Sequence, residues 1–109
     1  MAVHPLSEAG NMSYGEVIKV AAPIQAYEAS HAEVEKTIGS QVPDGMIFHV
    51  AQATDEGFEI FEVWESKAHS DKFNQEVVGP AIVNSGADMS GPEPDRTVFE
   101  PVGMMLGKS

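Results

Sequence analysis

Residues 46–83, MIFHVAQATDEGFEIFEVWESKAHSDKFNQEVVGPAIV, constrain the fold more than any other stretch. Two runs with apolar residues at alternate positions flank Asp55, Glu56 and Gly57, and a short connection containing Gly is a strong hairpin signal. A three-residue loop sets Thr54 opposite Phe58 and pairs Gln52 with Ile60, Val50 with Glu62 and Phe48 with Trp64 on one face. Ile47, His49, Ala51, Ala53, Phe61, Val63 and Glu65 then share the other face. A slip of one residue exchanges the faces. In either register both faces are largely apolar, which predicts a sheet covered on both sides.

After the hairpin, Ser66 is placed to cap a helix, and Phe73, Val77 and Ala81 fall on one stripe of it. Pro80 has no N–H, so the helix kinks or ends near Gly79-Pro80 unless Ile82 and Val83 continue it as a separate turn. Upstream, residues 13–21 alternate with β-branched content and predict a strand. Pro23 suits a first helical turn, and Ile24, Tyr27, His31, Val34 and Ile38 recur at helical spacing until Gly39. Residues 40–45 read as a loop with a Pro43-Asp44-Gly45 turn, and residues 85–96, rich in Gly, Pro and acid, as an irregular connection. Residues 97–106 predict a last strand, which Pro101 confines to an edge or a bulge.

The order β-α-β-β-α-β predicts an α+β ferredoxin-like sandwich: a four-stranded antiparallel sheet with two helices on one face. The helices cover one side only. The other apolar side is too large a patch for a monomer, and a two-fold homodimer with its sheets face to face covers it. With 109 residues and 42% apolar content there is one domain, residues 13–106, between a flexible leader, residues 1–12, and a short tail, residues 107–109. No apolar run reaches the roughly 20 residues that span a bilayer, and no signal-like start is present, so a cytoplasmic protein without membrane contact is expected. The net charge of −11 opposes nucleic acid binding, and the absence of cysteine excludes disulfides and thiolate chemistry.

The segments FEVWESKAHSDKF and EVVGPAI resemble those of the dimeric α+β barrel proteins, in the branch of the antibiotic biosynthesis monooxygenase domain. The likeness runs over about residues 14–106, and Val63-Trp64-Glu65-Ser66 with the spacing to Phe73 is its specific part. It implies the same fold and a range of functions: cofactor-free oxygenases of aromatic polyketides, haem-degrading enzymes, lactone isomerases, cyclases and proteins without a known role. Fold alone does not choose among them. Trp64 matches the strand Trp that lines the pocket in the quinone-forming oxygenases, but their Asn four residues earlier is Ile60 here. The haem-degrading members carry a helix Trp and a His ten residues on, where this chain has Phe73 and Val83, which disfavours that chemistry.

Two residues invite a chemical reading. His31 lies within the apolar stripe of the first helix, as a core histidine, as a side chain at the stripe's edge reaching water, or as a general base or donor to a bound carbonyl. Glu62 sits between Ile60 and Trp64 on one strand face, as half of a salt bridge, as a solvated residue at a sheet edge, or as an acid or base whose proton affinity burial raises. In the register above, His31 and Glu62 converge with Trp64, Phe48 and Tyr27, with Phe73 nearby, on one substrate pocket for a hydrophobic or aromatic ligand. His49 falls on the opposite face with a structural role, and His69 is exposed. The histidines show no metal-ligand spacing, and neither a metal nor a redox cofactor is expected. The expected function is a small cofactor-independent dimeric enzyme acting on an aromatic or enolisable molecule. Its rival is a non-catalytic ligand-binding or accessory barrel protein.

Overall fold

A computed structural model of the chain describes residues 2–4, 13–86 and 91–106, without the side chains of 2–4 and 104–106. In chain order the elements are β1 (Ala2–His4), β2 (Tyr14–Val20), α1 (Ile24–Ile38), β3 (Met46–Thr54) and β4 (Gly57–Trp64). A long second helix follows in three parts: α2 (Lys67–Phe73), a π-helical turn (Asn74–Val78) and α3 (Gly79–Asn84). β5 (Asp95–Phe99) and β6 (Met104–Leu106) close the chain. β2 to β5 form an antiparallel sheet in the order β3-β4-β2-β5. This is the expected ferredoxin-like βαββαβ sandwich.

The hairpin departs from the expected register. It turns over two residues, Asp55 and Glu56, so Thr54 pairs with Gly57, Ala51 with Ile60 and His49 with Glu62. Neither turn residue takes a positive φ, and Gly57 absorbs the mismatch at φ 154°. A Cβ on Gly57 would stand 2.1 Å from the Val20 carbonyl oxygen, so a strand position here demands glycine. The one-residue slip exchanges faces on β3 alone. His49 joins Glu62 and Trp64 on the helix side, and Phe48, expected there, turns to the open side opposite Val63. A bulge between Met46 and Phe48 then returns Met46 to Trp64.

Both helices lie over the face that carries Phe58, Ile60, Glu62 and Trp64. The Tyr27 ring of α1 packs 5.8 Å from that of Phe58, and the Phe73 ring of α2 packs 5.5 Å from that of Trp64. Ile18, Phe58, Trp64 and Ala81 are the buried apolar residues between the layers. α1 ends at Gly39, whose φ of 65° is closed to most side chains. Ser66 caps α2 as expected, its Oγ accepting from the His69 N–H at 3.2 Å. Pro80 does not end the helix. The Gly79 N–H reaches back to the Asn74 carbonyl, and this wider turn makes room where a proline ring would meet the preceding turn of a regular helix.

Two expectations about the ends change. Pro101 splits the last strand into β5 and β6, because proline donates nothing to a ladder. Ala2–His4, within the expected flexible leader, pair antiparallel with β6. Residues 5–12 of that leader and the tail 107–109 lie outside the described residues.

Away from the helices, the sheet shows Phe48, Val50, Phe61, Val63, Val17 and Phe99. Phe48, Val50 and Phe99 are 38%, 43% and 40% exposed. The Phe99 ring lies across Gly15, which has no side chain to block it.

Candidate active site

The exchange of faces on β3 assembles a polar cluster under α1. Its innermost member is Glu62, 8% exposed in the middle of β4. One carboxylate oxygen, Oε1, accepts from Trp64 Nε1 at 3.2 Å, and the other, Oε2, lies 2.8 Å from His49 Nδ1. A carboxylate only accepts, so His49 carries a proton on Nδ1, and in the neutral form of the ring Nε2 is left as an acceptor. Tyr27 Oη stands 2.7 Å from that Nε2 and donates to it. The arrangement has the logic of a catalytic triad: an acid orients an imidazole, and the imidazole accepts from a hydroxyl.

A second imidazole approaches the same hydroxyl. His31, one turn on along α1, has Nδ1 at 3.5 Å from Tyr27 Oη and Nε2 at 3.0 Å from Glu35 Oε1. By the same reasoning Glu35 fixes the proton on Nε2 and turns the acceptor Nδ1 toward Tyr27. Two Glu–His pairs therefore converge on one phenol. The rings of Tyr27, His31 and His49 lie within 20° of parallel, with centroids 5.4 to 6.4 Å apart. Burial, then the charges of Glu62 and Glu35, raise the Tyr27 pKa above its ordinary value of 10.0, so the phenol holds its proton.

Of the expected site residues, Tyr27, His31, Glu62 and Trp64 come together, and the Phe73 ring packs against Trp64 tilted by 45°. Phe48 does not, for the reason of register given above. His49, expected on the far face, holds the centre. The sequence signal for this was that a slip of one residue exchanges the faces of the hairpin. Glu16 and Arg96 escaped the sequence reading altogether. Glu16, 3% exposed, stands directly opposite Glu62 on β2 and is held by Arg96 Nη1 at 2.5 Å from β5. His69 is engaged rather than free: its Nδ1 lies 2.6 Å from Ser66 Oγ, and its ring covers Gly45.

Tyr27, His31 and His49 are half-buried. Two clefts lie elsewhere. One, of about 210 Å³, runs between the end of α1 and α2 and includes Ile38, Val42, Phe73 and Val77. The other, of about 480 Å³, lies at the β3–β4 turn beside Lys19 and Asp95. Neither is walled by Tyr27, His31, His49, Glu62 or Trp64. Among the described residues no group of His, Asp and Glu is placed to hold a metal ion, and no helix is long and apolar enough to cross a membrane.

No protein-family model matches the chain, and no curated protein matches its sequence. Solved structures share its fold. A protein of Caulobacter crescentus, provisionally described as an antibiotic biosynthesis monooxygenase, aligns over 88% of this chain and 97% of its own, with a TM-score of 0.64 and 14% identity. A protein of Chloroflexus aurantiacus under the same description aligns over 86% and 97%, at 0.60 and 21% identity. The monooxygenase ActVA-Orf6 of Streptomyces coelicolor, solved with the ligand nanaomycin D, aligns over 96% and 100%, at 0.50 and 17% identity. The branch that FEVWESKAHSDKF resembles is the one these structural neighbours come from, and at such identities the likeness is one of fold.

Proposed function

We propose that the chain is a cofactor-independent enzyme that deprotonates an aromatic or enolisable small molecule through Tyr27, with oxygenation, isomerisation or cyclisation of the resulting anion to follow. The observation that carries this is the Glu62–His49–Tyr27 array, with contacts of 2.8 and 2.7 Å. In the proposed step the substrate hydroxyl gives its proton to Tyr27 Oη while the Tyr27 proton passes to His49 Nε2. The substrate leaves the step as a phenolate or enolate held by the Tyr27 hydroxyl, and His49 becomes an imidazolium facing the Glu62 carboxylate. Each transfer lies within hydrogen-bond reach, as general base catalysis requires. His31, first read as the base itself, is here a second acceptor for the same hydroxyl.

The active form in this reading is a homodimer joined through the open sheet face, where Phe48, Val50 and Phe99 remain exposed. Structural neighbours described as monooxygenases support the reaction class without fixing the substrate. One observation favours the alternative, a non-catalytic protein that binds a small apolar ligand: the cleft walled by Ile38, Val42, Phe73 and Val77 lies apart from the titratable cluster. The two readings separate in one experiment. The protein is incubated with a metabolite extract, and the retained compounds and any new products are identified by mass spectrometry for the parent and for Tyr27→Phe. The enzyme reading expects product from the parent and retention without turnover by the variant. Equal retention by both, with no product from either, sinks it.

A further inference from the structure

The side-chain exposures along the cluster rise in order: Glu62 10%, His49 25%, His31 44%, Glu35 64%. We infer that Tyr27, His31 and Glu35 form a proton exit path, which returns His49 to its neutral state by carrying the proton from the buried pair to solvent along α1. The inference rests on the proposed role of the Glu62–His49–Tyr27 array and extends it to residues that touch no substrate.

Once His49 holds two protons, its Nε2–H donates to Tyr27 Oη, 2.7 Å away. The Tyr27 hydroxyl proton is then free to turn to the other acceptor at its side, His31 Nδ1, at 3.5 Å. Transfer along this line breaks His49 Nε2–H and Tyr27 O–H and forms Tyr27 O–H and His31 Nδ1–H. Tyr27 ends as it began, His49 is neutral, and His31 is an imidazolium beside Glu35; water takes the Nε2 proton, and a water-mediated shift of the remaining proton from Nδ1 to Nε2 restores the starting tautomer. The 3.5 Å gap is long for a hydrogen bond, so the ring of His31 must close on Tyr27 for each passage. Half-exposed and on the face of a helix, His31 has the freedom to do so. The charged groups around Tyr27 come from three elements: His31 and Glu35 from α1, His49 from β3 and Glu62 from β4. Each imidazole is oriented by its own carboxylate, so both acceptor nitrogens face the one hydroxyl. An exposed His paired with Glu35 for surface stability alone has no need to aim its second nitrogen inward.

The test follows protons rather than turnover. In the full-length protein with ¹⁵N-labelled histidine, nitrogen NMR reports the tautomer of His49, and the exchange of its ring protons with water is timed. His31→Gln keeps a polar side chain at the site but cannot change its proton count. It is expected to slow that exchange by about a hundredfold, the lower end of what a positioned acid–base group contributes. Free imidazole added to the solution is expected to restore the rate. Glu35→Gln, which keeps His31 but releases its tautomer, is expected to slow the exchange by a smaller factor. Exchange that is unchanged or faster in His31→Gln, or slowed with no rescue by imidazole, overturns the exit path while leaving the array in place. A parent His49 without its proton on Nδ1 overturns the array and the path together.

Discussion

Glu62→Gln separates what the buried carboxylate does for the fold from what it does for His49. Glu62 makes two hydrogen bonds from a site 8% exposed, at 2.8 Å to His49 Nδ1 and 3.2 Å to Trp64 Nε1. Trp64 can only donate, so the amide oxygen of Gln must take that bond, and its NH2 group then faces His49. His49 keeps a partner by moving its proton to Nε2. Hydrogen bonds to charged groups contribute about 1.5–3 kcal/mol and neutral ones about 0.5–1.5, so two such exchanges weaken the fold by about 2 kcal/mol. Removing a buried charge that faces Glu16 offsets part of this, and the expected net loss is about 1 kcal/mol. In a domain of this size that lowers the Tm by about 4–8 °C. Glu62→Ala is expected to cost clearly more, because it strands the buried Trp64 donor at about 1–3 kcal/mol and empties the space the side chain filled. Thermal unfolding measures the cost, and ¹⁵N NMR of the imidazole reports the tautomer. The decisive outcome is a Gln variant that folds normally with His49 protonated on Nε2 and with the Tyr27 acceptor lost. A variant whose His49 keeps its proton on Nδ1, or one as unstable as Glu62→Ala, refutes the assignment of donors and acceptors.

The raised Tyr27 pKa makes stability depend on alkaline pH. Above the unfolded value of 10.0 the native state still holds a proton that the unfolded chain has lost, so this contribution is complete below that pH and disappears as pH rises through the folded value. Tyr27→Phe is expected to flatten the decline in denaturant midpoints above about pH 10 without abolishing it, since burial also raises Tyr14; an unchanged slope counts against the buried phenol. Gly57→Ala, which sets a Cβ against the Val20 carbonyl at φ 154°, is expected to cost at least the roughly 1–3 kcal/mol of a strained backbone, read by chemical denaturation. Val50→Lys, on the open sheet face, is expected to convert a sedimenting dimer into a monomer; a parent that sediments as a monomer at every concentration removes the dimer.

The fold was legible because its signals are local and agree with one another. The Ser66 cap, the stripe from Ile24 to Ile38 and the stop at Gly39 each depend on neighbours within a few residues, and each appears where the pattern puts it. The site was only half legible because it depends on register, which a turn sets by one residue. Gly57 looks like a loop residue from its own neighbours. What makes it a strand residue is the backbone of Val20 and Ala22, more than thirty positions earlier, which leaves no room for a Cβ. That distant contact moves His49 to the helix side and Phe48 away from it. Glu16 and Arg96 were illegible for a similar reason: they lie 80 positions apart and meet only because β2 and β5 are neighbours in the sheet.

His49, Glu62, Glu16 and Arg96 together explain why a small domain keeps so much charge under its helices. The strand order sets His49, Glu62 and Glu16 side by side across β3, β4 and β2, and Arg96 reaches diagonally from β5 to close the row. Like charges directly opposite each other destabilise a sheet, and buried carboxylates cost desolvation besides. Apolar residues at these positions would give a firmer core. The outer strands instead supply one partner for each inner carboxylate. Arg96 is permanently charged, and His49 is charged only when it takes a second proton. With His49 neutral the row carries one negative charge more than positive, and in the proposed step a proton delivered through Tyr27 would bring it to balance. A row meant only to hold the sheet together would be served as well by a second arginine. An imidazole in that place makes the balance depend on a proton, and its 2.7 Å contact with Tyr27 is the route along which the proposed step would deliver it.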